Sequence, residues 1–265
     1  MDLPLLFKAI FLGVVEGLTE FLPVSSTGHL IIFGDLLHFS DGRGKGFEIV
    51  IQLGAVLGVV WDYRVRLSRM VTGIRKTHEQ RFILNLIIAC LPAAIMGLLL
   101  HEYITTHLFN PVTVAWALIV GGILILIIER LPLKAHVNSM ENLSPIDAIK
   151  IGVAQTFSLF PGVSRAGATI MGGLLAGLSR TAATEFSFFL AMPIMFTATF
   201  YEFFKNINSL NSEDFFVFAV GFIMAFLTAL VVVKAFLIYV AGHNFTLFAI
   251  YRIGFGLLVL AYFRV

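Results

Sequence analysis

The 265 residues are 58% hydrophobic and only 13% charged, with a mean hydropathy of +0.94. That is far more apolar than a soluble domain tolerates, so the chain reads as an integral membrane protein. Its long, continuous apolar runs call for helices rather than the short alternating segments of a lipid-facing barrel. A formal net charge of +2, with the basic residues gathered in one loop, argues against a nucleic-acid partner, and the single Cys90, set mid-run, leaves neither a disulfide framework nor a thiolate metal cluster.

Residues 3–22 form the first predicted helix, and Asp2, Glu16 and Glu20 give it the wrong layout for a signal peptide. Glu16 and Glu20 are one helical turn apart and share a face, and Pro23 is expected to end the helix. The apolar piece that follows, 30–37, is far shorter than the roughly 20 residues a crossing needs. A re-entrant hairpin, helix, loop and helix dipping in and returning to the same side, fits residues 3–37 best. Spanning helices are expected at about 47–61, 82–100 and 111–128.

The chain then repeats itself. Aligning Gly13 with Gly152, an offset of 139 residues, brings Ala9, Ile10, Val14, Phe21, Val24, Ser25 and Gly28 onto Ala148, Ile149, Val153, Phe160, Val163, Ser164 and Gly167 without a gap. Polar positions recur with changed identity: Glu16 meets Gln155 and Ser26 meets Arg165. The second half offers a hairpin at about 145–178 and spans at about 183–203, 215–237 and 246–261. Three crossings per half place the second half in the opposite sense. The expected fold is therefore all-α and polytopic, a single integral membrane domain over 1–265. It would hold two inverted repeats, about 1–135 and 140–265, each a re-entrant hairpin plus three transmembrane helices.

Charge sets the orientation. Residues 63–81 carry Arg64, Arg66, Arg69, Arg75, Lys76 and Arg81, whereas 101–110 carry no Lys or Arg, so the first of these loops is expected inside and both termini outside. Arg130, Lys134 and Arg180 agree, while Arg43, Lys45, Lys205 and Arg264 dissent mildly.

The chemistry-bearing residues gather in the two hairpin loops. Broken helices from inverted halves commonly meet at the midplane with their N-terminal ends aimed at an anion. Ser25, Ser26 and Thr27 open the helix in the first loop; Gly162, Ser164 and Arg165, with Thr169 one turn on, hold the matching place in the second. Free N–H groups, hydroxyls and a permanent cation together make a phosphate site. Capping alone would explain an isolated Ser/Thr triplet, but His29, Arg165 and two glutamates inside apolar sequence shift the balance to function. Glu16 and Glu20 would repel a phosphate unless neutralised by protonation, by Arg165 or by a hard divalent cation such as Mg²⁺ or Ca²⁺. General acid or base chemistry is the other role open to either. Gly13 and Gly17 read as a small-residue helix contact, Glu48 and Gln52 as polar groups able to line the same cavity, and Glu185 as an ion pair with Arg180.

The run from Glu16 to His29, Glu-Gly-Leu-Thr-Glu-Phe-Leu-Pro-Val-Ser-Ser-Thr-Gly-His, resembles the first motif of the bacterial undecaprenyl-diphosphate phosphatases often called bacitracin resistance proteins. Pro161 to Thr169, Pro-Gly-Val-Ser-Arg-Ala-Gly-Ala-Thr, resembles the second, except that Ala166 stands where serine is common. The resemblance extends to Phe47-Glu48, Gln52-Leu53-Gly54 and Glu185-Phe186-Ser187-Phe188. It implies a polyprenyl diphosphate substrate, cleaved at the outer face of the bacterial inner membrane to the monophosphate and inorganic phosphate. That returns the lipid carrier to peptidoglycan synthesis and confers bacitracin resistance, with a homodimer as the candidate assembly. On this reading Ser26 attacks the terminal phosphorus, His29 activates it, Arg165 stabilises the equatorial oxygens, and Glu16 and Glu20 hold the cation; Ser25, Thr27, Gly162, Ser164 and Thr169 contact substrate. His29 as nucleophile is the internal rival. A transporter or flippase is the alternative from another class, because inverted repeats with broken helices also build transporters.

Overall fold

In the computed structural model, which describes residues 3–39, 44–206 and 214–263, helices dominate, and the described residues contain no strand beyond an isolated bridge between Val137 and Leu178. The helices run α1 (Leu3–Thr19), α2 (Ser26–Leu36), α3 (Gly44–Asp62), α4 (Arg64–Thr72), α5 (Thr77–His107), α6 (Pro111–Arg130), α7 (Pro145–Thr156), α8 (Arg165–Leu175), α9 (Arg180–Asn206), α10 (Phe215–Gly242) and α11 (Thr246–Phe263). Five of them are long and apolar enough to cross a membrane, or six if α3 and α4 are one span bent by 70°. Leu98, Val231 and Ile238 are among the large side chains left bare on the outside, a surface suited to lipid rather than water.

α2 and α8 have 11 residues each, about 16 Å at 1.5 Å per residue, too short to cross. α1 packs on α10, which packs in turn on α3; α7 packs between α5 and α8, and α6 lies along α11 while touching both α2 and α8. Gly13 and Gly17 let α1 approach α10 closely: a Cβ on Gly13 would stand 2.5 Å from the Gly221 carbonyl oxygen, and one on Gly17 2.6 Å from that of Ala225. In lipid, where apolar surface alone does not drive helices together, such backbone approach is what holds them.

Several expectations are corrected. α1 stops at Thr19 rather than running to residue 22, because the Pro23 ring would clash with the carbonyl of residue 19, four positions back; Glu20 still donates its backbone N–H to the Glu16 carbonyl at 3.0 Å, so the two carboxylates stay one turn apart. The basic stretch expected as a loop is helical over Arg64–Thr72, with the Arg64 guanidinium 4.9 Å from the Trp61 ring centroid. Arg180 pairs with Glu129, Nη2 to Oε2 at 2.5 Å, and not with Glu185, which lies about 140° away around the same helix. Cys90, whose place in the middle of an apolar run predicts a buried small residue, is half-buried. Arg43 and Arg264 lie outside the described residues, as do the side chains of Lys45 and Lys205.

The connection between the halves is fastened at the end of the molecule where α4 lies. Arg66 bridges Glu79 of α5 and Glu141 of the connection, both at 2.8 Å, and Ser144 with Asp147 forms a capping box on α7.

Candidate active site

The two hairpin loops carry the same unusual backbone at equivalent positions. Ser25 has φ 72° and ψ 97°, Ser164 φ 73° and ψ 116°. Side chains other than glycine enter that region at a cost of about 1–3 kcal/mol, and such strain concentrates at functional sites. Each serine caps the helix it precedes: Ser25 Oγ accepts from Gly28 N at 3.4 Å and Ser164 Oγ from Gly167 N at 3.0 Å. Their lone pairs are thus partly engaged, while neither hydroxyl donates a hydrogen bond among the described residues. Gly162, at φ 94°, turns the second loop where no side chain fits, since a Cβ would press on the Val114 backbone of α6.

One chain of contacts joins the loops. Ser26 Oγ donates to Glu20 Oε2 at 2.5 Å, and Arg165 Nη2 donates to Glu20 Oε1 at 3.0 Å. Arg165 Nη1 donates to the Ser187 carbonyl of α9 at 3.1 Å, Nη2 also reaches Met195 Sδ at 3.4 Å, and the guanidinium lies 5.5 Å from the Phe21 ring centroid. Thr169 is fully buried; its hydroxyl shares a 2.7 Å hydrogen bond with Ser187 and bonds the Arg165 carbonyl at 2.9 Å, so it braces the partner of Arg165 from behind. Thr27 is half-buried beside Ser26.

His29 looks elsewhere. Its Nδ1 lies 2.7 Å from the Ser25 carbonyl, which can only accept, so Nδ1 carries the proton; in the neutral ring Nε2 then accepts from the Tyr251 hydroxyl at 2.6 Å. The imidazole stacks on Phe255 at 4.2 Å between centroids. Ser26 and His29 are therefore near in sequence, but both ring nitrogens of His29 are engaged away from Ser26.

Some capacity is unspent. Among the described residues, neither carboxylate oxygen of Glu16, a residue 1% exposed, has a hydrogen-bond partner, nor does Arg165 Nε. Glu20, Glu48 and Arg165 are the charges close enough to act on Glu16. An orphaned buried carboxylate fits a hard cation, and Glu20 is its neighbour one turn on. Among the described residues no cluster of three or more His, Cys, Asp or Glu is arranged for a metal, so the remaining ligands would be substrate oxygens and water.

Residues 9–258 match the family described as bacitracin resistance protein BacA. The chain belongs to that family. It is 56% identical to an undecaprenyl-diphosphatase of Methylobacillus flagellatus, over 99% of this chain and 100% of that one. It is 57% identical to an undecaprenyl-diphosphatase of Nitrosospira multiformis, over 98% and 96%. It is 56% identical to an undecaprenyl-diphosphatase of Dechloromonas aromatica, over 98% and 96%. Family membership and the apolar helices together make this an integral membrane protein.

Tyr251, Arg252 and Ser187 belong to the site's surroundings but not to the sequence-derived set. Arg252 had a signal: a lone arginine inside the apolar span at 246–261, where an ionisable residue is functional by default. Ser187 lies in a stretch that the resemblance covers, but nothing marked out its hydroxyl, and Tyr251 had no signal, since a hydroxyl in a spanning helix usually bonds its own backbone.

Proposed function

We propose that this protein hydrolyses undecaprenyl diphosphate to undecaprenyl phosphate and inorganic phosphate. In doing so it would recycle the carrier for peptidoglycan synthesis and confer bacitracin resistance. The observation that carries the reading is the Ser26–Glu20–Arg165 chain, which joins a hydroxyl, a carboxylate and a cation from two loops in one buried place. Ser26 Oγ attacks the terminal phosphorus, its proton passes to Glu20, and the bond to the bridging oxygen breaks, releasing undecaprenyl phosphate. Water then cleaves the seryl phosphate. Arg165, with an uncommitted Nε, and the N–H groups that open α2 and α8 hold the equatorial oxygens. The 2.5 Å contact favours Glu20 over His29 as the base. Glu16, with Glu20, would hold a divalent cation such as Mg²⁺ or Ca²⁺, whose charge would neutralise phosphate oxygens. A cavity of about 270 Å³ beside the first hairpin, lined by Leu12, Leu30, Phe39, Phe47, Glu48 and Ile51, has apolar walls that suit prenyl units.

The same proposal includes two inverted repeats in one membrane domain. Supporting it, α8 at Arg165–Leu175 lies 139 residues beyond α2 at Ser26–Leu36, end for end, and Ser25 and Ser164 share their conformation. The basic residues of α4 support a cytoplasmic place for that end and an active site opening outward, in the bacterial inner membrane.

Purified protein in detergent, which abolishes compartments, is expected to release phosphate from a polyprenyl diphosphate, and Ser26→Ala to lower the rate by roughly 10³-fold or more. A phosphorylated intermediate with an acid-stable label would mark serine; an acid-labile label would move the nucleophile to His29. Absence of phosphate release would return the molecule to the transporter reading.

A further inference from the structure

Arg252 of α11 heads the large, fully buried side chains, at 1% exposure. A guanidinium at such a place ordinarily meets a carboxylate. Among the described residues Arg252 meets none: Nη1 donates to the Pro23 carbonyl at 3.2 Å, Nη2 to Gly162 at 3.1 Å and Ala117 at 3.1 Å, and Nε to Leu118 at 3.4 Å. Pro23 and Gly162 are separated by the same 139 residues that relate the two loops, and each stands two positions before its positive-φ serine. One side chain therefore bonds the equivalent carbonyl in both loops, with α6 as the third anchor. Glycine at 167 leaves it room, since a Cβ there would lie 3.0 Å from Nη1. The position that the offset pairs with Arg252 is Thr113, so this clamp has no second copy.

We infer that Arg252 is a positioning residue for the reaction: it fixes the two hairpin loops against each other and against α6, at the separation where Arg165 of one loop meets Glu20 of the other. It adds to the site a positive charge that, among the described residues, no carboxylate meets. The planar fork is what the task requires, because two carbonyls on different loops and two on α6 must be met by one group. A lysine has a single nitrogen and cannot reach both loops in the same geometry. The kinetic side of this inference rests on the proposed phosphatase reading; the structural side does not.

Two variants separate the clamp from a general loss of fold. Arg252→Lys retains the charge and Arg252→Met retains length and bulk. Both are expected to purify with helix content like the wild type. Each should lower kcat about 100-fold, the size of effect that a small misplacement of reacting groups produces, with KM changed by less than about three-fold. Amide hydrogen exchange read by mass spectrometry should rise about ten-fold in the peptides covering 20–28 and 159–168 together, with α10 unchanged. A kcat within two-fold of wild type, a rise in one loop only, or an equal rise across α10 overturns the proposal. If wild-type protein releases no phosphate, the phosphatase reading falls and the exchange pattern alone decides whether Arg252 clamps the loops.

Discussion

The two hairpin loops share a backbone and divide the chemistry. Residues 20–29 supply a carboxylate, a hydroxyl and an imidazole; residues 159–167 supply a cation, and the capping serine with its positive φ is common to both. Where the first loop places Ser26, directly after its cap, the second places Arg165. Where α1 carries Glu16, α7 carries Gln155, whose Nε2 is spent on the Ala89 carbonyl at 3.3 Å. Two loops of like backbone thus bring unlike groups face to face: two identical loops would oppose carboxylate to carboxylate or cation to cation, and neither could cradle a charged phosphate.

The hardest break in that division is Arg165→Met. It removes the one cation that pairs with Glu20 among the described residues and leaves a buried carboxylate to repel the substrate. Loss of kcat by roughly 10³-fold is expected, as for groups that meet transferred phosphoryl charge, measured as phosphate release. Arg165→Lys should recover little, since one ammonium cannot serve Glu20, the Ser187 carbonyl and a phosphate together. Substantial activity in either variant would show that the second loop is scaffold only.

A smaller break targets the next unlike pair. Glu16→Gln makes α1 resemble α7 at the equivalent position and removes the charge that suits a cation. The apparent affinity for Mg²⁺ or Ca²⁺ in the phosphate-release assay should fall about 10- to 100-fold. An unchanged metal titration would leave Glu16 no role as a ligand. Gln155→Glu, the reverse exchange, buries a carboxylate against a carbonyl oxygen and should cost several kcal/mol of stability without creating a second metal site.

How much of this could be read beforehand follows from the kind of information each feature needs. The paired helices and the loops between them were legible, because Pro23, Gly162 and the offset of 139 are written along the chain, whereas for Glu20 the sequence left protonation, Arg165 and a metal open, and only the fold brings Arg165 to it. The partner of Ser26 was not. His29 lies one helical turn from Ser26, so spacing favoured it, but the rotamer that turns its ring to Tyr251 and Phe255 depends on α11, more than 200 residues away. Arg180 failed likewise: Glu185 is near in sequence, and Glu129 wins because the turn of α9 aims the guanidinium at α6. The helix α4 was hidden for another reason, since six basic residues between spans read as a solvated loop until tertiary packing of Arg66 on Glu79 and Glu141 is known.

The finest comparison lies in the two strained caps. Ser25→Ala and Ser164→Ala each lose a capping hydrogen bond while keeping a Cβ at positive φ, and each should cost about 1 kcal/mol. The Ser164 bond is shorter, 3.0 Å against 3.4 Å, so Ser164→Ala should lower Tm more, read by thermal unfolding in detergent. Replacement by glycine loses the same bond but relieves the backbone, so Ser25→Gly and Ser164→Gly should each melt above the matching alanine variant. Melting below it would mean that the loops carry no strain at these serines. Their shared backbone would then follow from packing on α6 and Arg252 rather than from the local sequence.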